Sequence, residues 1–317
     1  MKPLKYIKIF FGALLLTCSA GCQKGFDYEI SNNSPDTSWL ANISDTAEVS
    51  QLKRSIKPVT FTDSTAYNNQ PTQVNLQSGL RVSFPGGLTS IPGTITTGII
   101  KMESILLKKK GDFIRMGVHT RENERMLSSV GTLFLHVTKN GQPMRFTQGV
   151  AEISYASNSI QGPATSFIDT DSLAQVFNWT RNPDTLLSNV NWSQGFYSLR
   201  TNNFGWINAA NRADAGNNLT TIQVSLPAHY TNKNTAAYLL YNDGLVVDMM
   251  QPNTSTRKFI ANPVATGTPV KLLVLSKQAG NYFMAQSSVT AAGGIQNVLV
   301  EPTITTMNLL LQELENL

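Results

Sequence analysis

Three histidines are the first residues to weigh for chemistry, and none has a neighbour with which to hold a metal. His119, His136 and His229 stand outside any His-x-His, His-x3-His or His-Glu-x2-His spacing, whereas a metal centre needs ligands clustered at short intervals. Asp169 and Asp171 begin like a calcium loop, but the third acidic position and the turn glycine are missing. The sequence therefore predicts no metal and no cofactor. Nucleophilic catalysis has no local signature either, since no Gly-x-Ser-x-Gly turn exists and Pro85-Gly86-Gly87-Leu88 lacks the Lys-Ser/Thr of a phosphate-cradling loop. Glu103, Glu152, Asp243 and Asp248 are candidates for paired carboxylates in glycoside hydrolysis, yet 20 acidic residues in 317 need no enzymatic explanation. An aromatic set is the stronger feature. Trp179, Trp192 and Trp206, with Phe196, Tyr197 and Phe204, form a candidate ligand platform for stacking on sugar rings. The same residues suit a core, because Trp is highly buried on average and its N–H finds a partner inside.

The elements that would carry these residues begin with an address. Lys2, Lys5 and Lys8 frame a basic start, Ile9 to Cys18 form an apolar run, and Ser19-Ala20-Gly21-Cys22 closes it with small residues. This is the order of an export signal, and the run is too short to cross a bilayer as a helix, which takes about 20 residues. The last four residues resemble a bacterial lipobox, with cleavage after Gly21 and lipid attachment at Cys22. Cys18 is the rival acceptor, although Thr17 before it fits poorly. Cleavage removes Cys18 and leaves one thiol, so no disulfide within the chain is expected. It also removes three lysines, taking the net side-chain charge from +5 to +2. A nucleic-acid role, which wants a clustered basic face, loses its support; Lys108-Lys109-Lys110 before Gly111 and Asp112 reads as a solvated hairpin end.

Residues 22–55 are rich in Ser, Asn, Thr and Asp and read as a flexible, lipid-anchored tether, with a short helix over Asp45–Ser55 capped by Ser44 or Asp45. From Ile56 onward short β-rich runs are punctuated by Gly and Pro. Leu80–Phe84, Gly98–Leu107, Phe113–Met116 and Thr132–Thr138 are such runs, and Lys139-Asn140-Gly141-Gln142 supplies a hairpin turn toward Met144–Phe146. Ser78–Gly87, Gly93–Gly98, Asp112–Thr120 and Leu127–Leu135 together resemble a lipoprotein family of the Bacteroidota, whose segments are similar to the ZU-type β-sandwich of ankyrins and netrin receptors. The likeness covers about Val74 to Gly149. It continues in a Gly-Trp-Ile-Asn element matched by Gly205–Asn208, but Ala209, Ala210, Asn211 and Arg212 stand where the family more often has Cys-Asp-Arg. The resemblance implies fold and lineage and carries no catalytic residue across.

Beyond a helical piece expected over Ser172–Trp179, seven strand candidates follow: Thr220–Leu226, Thr235–Tyr241, Leu245–Met250, Arg257–Ala261, Val270–Ser276, Tyr282–Val289 and Ile295–Val300. Seven is an immunoglobulin-like number. Ile304, Met307, Leu310, Leu311 and Leu314 then fit one face of a closing helix over Thr303–Leu317. The expected fold class is mainly β, with two antiparallel sandwiches, ZU-like over 56–157 and immunoglobulin-like over 158–317, behind a signal of residues 1–21 and the tether. Four Asp-Ser/Thr-apolar triplets, at Thr46, Ser64, Ser172 and Thr185, resemble O-glycosylation acceptors of the Bacteroidota periplasm and fit turn and cap chemistry equally well. The function expected is non-catalytic binding or scaffolding in the cell envelope, at the outer membrane and facing the periplasm or the surface. Its partners would be the membrane through Cys22 and another envelope protein or a glycan. A polysaccharide-uptake type of glycan-binding lipoprotein and a hydrolase with a dispersed site are the alternatives.

Overall fold

Alternation of apolar and polar residues builds the first half of the chain. A computed structural model describes residues 36–90, 97–146, 149–157, 162–169, 177–202, 204–213, 216 and 218–317. In it the strand Leu80–Phe84 buries Leu80, Val82 and Phe84, and Arg125–Lys139 buries Leu133, Leu135 and Val137. Both are strands of one large antiparallel sheet that runs from Phe61–Tyr67 through Gly98–Leu107, Arg125–Lys139 and Gly205–Arg212 to Ala164–Asp169. It continues through Asn189–Ser193, Phe196–Thr201, Ala151–Ala156 and Leu80–Phe84 to Thr72–Asn75. Strands from both ends of this path bury side chains in a single cluster, including Ile100 and Met102 as well as Val82 and Phe84, so the sheet folds over as a sandwich does. Close approach of its layers constrains Gly131, where an added Cβ would lie 2.7 Å from the Tyr155 ring.

The seven strand candidates of the second half all form strands, in two sheets. Leu219–Ser225 pairs with Lys258–Ile260 and Val264–Ala265 and, in parallel, with Gly294–Leu299. The facing sheet runs Val247–Met249, Thr235–Tyr241, Pro269–Gln278, Asn281–Thr290, Thr303–Thr305. Ile222, Val224, Leu239, Leu272 and Val274 fill the space between them. Residues alternating with these, Tyr238, Leu240, Leu273 and Leu275, are also buried, on the opposite face. That double burial is why both strands read as near-continuous apolar runs. The second face packs against three helices, α1 (Glu48–Ile56), α2 (Lys110–Met116) and α3 (Met307–Asn316), and against Leu127, Phe167 and Trp179 of the large sheet.

Several expectations are corrected here. A boundary at 157/158 would cut the large sheet: Tyr197 lies opposite Tyr155 and Trp206 opposite Phe134, so the strands over 164–212 complete the first sheet and cover its edges. Thr37–Leu317 forms one compact unit. Residues 37–55 are therefore not free tether. Trp39 packs on Phe259 with ring centroids 5.0 Å apart, the Asn232 amide bonds both Leu40 N and Leu40 O at 3.0 and 2.6 Å, and α1 buries Val49, Leu52 and Ile56. That helix is capped at Ala47 without a side-chain bond, not by Ser44 or Asp45.

Lys110–Met116 forms α2, where a hairpin end over Lys108–Asp112 and a strand over Phe113–Met116 are expected from sequence. Asp112 accepts the backbone N–H groups of Lys108 and Lys109 at 3.1 and 3.0 Å, and Gly117 closes the helix in the left-handed region at φ 72°. Gly111 then lets α3 approach, since a Cβ there would overlap the Leu314 carbonyl. The closing helix is shorter than expected: Thr306 caps it through Leu309 N at 3.2 Å, while Thr303–Thr305 adds a strand and leaves Ile304 exposed.

Candidate functional site

The tryptophans do not form a common exposed platform. Trp179 opens the strand Trp179–Arg181, is fully buried, donates its Nε1–H to His119 O at 2.6 Å and stacks on Phe177 at 5.7 Å. Trp206 is half-buried beside the same cluster, 5.3 Å from Phe177 and 5.2 Å from Phe134. Trp192 packs against the other cluster, 4.8 Å from Tyr197. Of the modification candidates, Thr46, Ser64 and Thr185 are exposed, and Thr185 sits in a turn where Asp184 Oδ1 accepts Leu186 N at 2.9 Å. Ser172 and most of the helix expected over Ser172–Trp179 lie outside the described residues, as do Gly21 and Cys22; at its end Phe177 and Asn178 are not helical and Trp179 begins a strand.

Of the weighed carboxylates, Glu152 and Asp243 are exposed, while Glu103 and Asp248 are bound to separate partners. Glu103 lies on the solvent face, 2.7 Å from Lys101 and 3.7 Å from His136. Lys101 holds its carboxyl below the usual range, with His136 adding to the effect. Asp248 is fully buried and accepts Asn262 N and Nδ2 at 2.9 Å, with Arg121 at 3.5 Å. Burial raises its pKa against those three stabilising contacts. Glu122 takes Arg212 Nε and Nη2 at 3.0 and 2.8 Å. Thr120 binds Val247 in both directions, N to O at 2.8 Å and Oγ1 from N at 2.9 Å. This cluster stitches the Arg121–Glu122 hairpin to the second pair of sheets. Nothing local in the sequence marks it, because Arg121, Asp248 and Asn262 are far apart along the chain. Among the described residues no group of three His, Cys, Asp or Glu is placed to hold a metal.

The concavity that stands out is a groove of about 600 Å³ between α1 and the strands Val247–Met249 and Gln251–Asn253, within the usual size of a ligand site. Val49, Met249, Met250 and Phe259 supply an apolar floor. The exposed turns of α1 place Lys53, Arg54 and Lys57 along one wall, with Asp45 at its end. Amphipathic spacing explains the wall: burying Val49, Leu52 and Ile56 turns these three cations outward. Lys53 Nζ leans over the floor, 3.9 Å from Met249 Sδ. Methionine suits such a floor because its thioether adapts to irregular partners. The sequence reading missed the site because it assigned one whole wall to the tether.

No protein-family model matches the chain, and a search of curated proteins finds no match to it.

Proposed function

We propose that this chain is a non-catalytic binding module of the cell envelope, held to the outer membrane by acyl chains on Cys22, that docks an acidic, apolar-bearing segment of another envelope protein in the α1 groove. The groove carries the reading: a methionine and phenylalanine floor beneath three cations, Lys53, Arg54 and Lys57, is complementary to such a segment in both hydrophobicity and charge. The non-catalytic part draws support from Glu103 and Asp248, which are bound to separate partners rather than paired across a cleft. The anchor rests on Ser19–Cys22 and on the likeness to a Bacteroidota lipoprotein family. Two acyl chains on one cysteine would make release negligible at about 0.8 kcal/mol per buried CH₂.

Two experiments test these parts. Metabolic labelling with an alkyne fatty acid is expected to mark the wild type and Cys18→Ser but not Cys22→Ser; label persisting on Cys22→Ser sinks the anchor. For the groove, detergent-solubilised full-length protein is titrated with a fluorescent peptide alternating Glu with Leu and Phe, beside a panel of envelope glycans. The variant carrying Lys53→Glu, Arg54→Glu and Lys57→Glu is expected to bind the peptide at least tenfold more weakly, about 1.4 kcal/mol. An unchanged affinity rejects the groove, and glycan binding without peptide binding replaces the reading with the glycan-binding alternative.

A further inference from the structure

A second concavity, sharing no lining residue with the groove, gathers two lysines that form no ion pair among the described residues. It measures about 330 Å³ and opens where the start of α2 and the end of α3 meet the sheet containing Pro269–Gln278. Lys271 reaches it from that strand, where the pairing register sets Leu240, Lys271 and Ser288 in one row. Lys110 reaches it from α2 and donates to Asn242 O at 3.0 Å. Tyr241, Asn242, Ser288 and Asn316, with Leu240 and Leu317, complete a largely polar lining.

The fold itself brings the two cations together. Burial of Phe113 and Ile114 and the close passage of α3 over Gly111 fix how α2 lies. Lys271 falls on the face of its strand that also carries Leu273 and Leu275, so it points toward the helices and not away from them. Both ammonium groups thus share one partly enclosed space. Each raises the energy of the other: burial and the charge of Lys271 lower the pKa of Lys110, with Asp243 acting in the opposite direction. Among the described residues neither ammonium forms an ion pair. Lys109, by contrast, turns to Glu315, and Lys108 turns to Ala156 O at 3.4 Å. Of the three consecutive lysines only Lys110 enters the pocket.

We infer that the Lys110–Lys271 pocket binds a tetrahedral oxyanion, a phosphate or sulfate group, whose charge relieves the repulsion between the two ammonium groups. Each lysine has N–H donors to offer such a group, and the Ser288 hydroxyl and the Asn242 side-chain amide are further donors at its rim. The volume suits a small headgroup, and the polar lining distinguishes it from the apolar floor of the α1 groove.

The test uses full-length protein in detergent. Inorganic phosphate and sulfate are titrated by calorimetry and followed by thermal unfolding, since a ligand bound only by the folded state raises its stability. Lys110→Gln and Lys271→Gln are each expected to weaken anion binding at least tenfold and to erase the anion-dependent rise in Tm. Lys108→Gln, which removes the same charge outside the pocket, is expected to match the wild type. Without added anion, Lys271→Gln should melt no lower than the wild type, because it removes one of two like charges; this separates a binding role from a structural one. Vesicles of phosphatidylcholine with and without phosphatidic acid, mixed with the unacylated Cys22→Ser chain, identify the source: binding to the acidic vesicles that Lys110→Gln abolishes points to a lipid headgroup, and binding confined to free phosphate or sulfate points to a solute. No anion-dependent stabilisation in the wild type, or an equal loss in Lys108→Gln, overturns the inference.

Discussion

Truncating Trp179 to alanine is expected to destabilise the fold by about 3–5 kcal/mol, the range for deleting a large buried aromatic. That is a large part of the roughly 5–15 kcal/mol by which a folded domain exceeds its unfolded state. The indole is fully buried in the cluster where the large sheet meets the second pair of sheets, so its loss leaves a cavity and an unpaired His119 carbonyl. Trp179→Phe keeps much of the apolar contact and forfeits only the hydrogen bond, so a smaller loss of about 1–3 kcal/mol is expected. Trp192→Ala, on a half-buried residue of the other cluster, should fall below Trp179→Ala. Urea midpoints at constant slope measure all three. A Trp179→Ala midpoint equal to that of the wild type, or a glycan that shields Trp179 from quenching in the folded protein, would refute its assignment to the core.

The same residue shows where the sequence is legible and where it is not. Period-two alternation and turn residues locate Leu80–Phe84 and Gly98–Leu107 as they stand, and all seven later strands, because each of these signals is local. Which sheet a strand joins is not local. The strands over 189–212 pair with Tyr155 and Phe134 on segments well before them, and nothing in their own residues says so. Polar composition likewise hides residues 37–56, where the few apolar anchors Trp39, Val49, Leu52 and Ile56 are widely spaced among polar residues. α2 fails for a different reason. Its seven residues carry little helical period, and its helicity comes from Asp112 at one end, Gly117 at the other and the helices packed on it.

The candidate sites divide in the same way. Lys108-Lys109-Lys110 is visible in the sequence, yet only the direction of α2 sends one of the three into a shared pocket with Lys271. The α1 groove needs both the helix and Met249, Met250 and Phe259, which lie some 200 residues later and signal nothing but core by themselves. His119 has no neighbours in sequence that suggest chemistry, and its burial beside Arg121 emerges only from tertiary packing.

That burial makes stability fall on mild acidification. His119 is 2% exposed, and neither ring nitrogen makes a well-formed hydrogen bond among the described residues, although the Phe177 backbone lies near enough to oppose the downward shift in part. Burial first, and the positive charge of Arg121 second, lower its pKa to about 4 from 6.5. The unfolded chain therefore binds a proton that the folded chain refuses between those values. Stability is fully retained above pH 6.5, declines as pH falls through the window, and levels off with respect to this group below about 4. At 1.36 kcal/mol per unit the loss approaches about 3 kcal/mol. Asp248 acts with the opposite sign, because its raised pKa favours the folded state as the carboxyl protonates, starting above the ordinary carboxylate value of 3.8. Comparison with His119→Leu isolates the histidine. Since neither ring nitrogen makes a well-formed hydrogen bond, the variant is expected to be about as stable as the wild type at pH 8. It should then stay about 3 kcal/mol more stable near pH 4, as read from urea midpoints across the range. Parallel pH profiles for the two proteins would show that His119 does not titrate in this window.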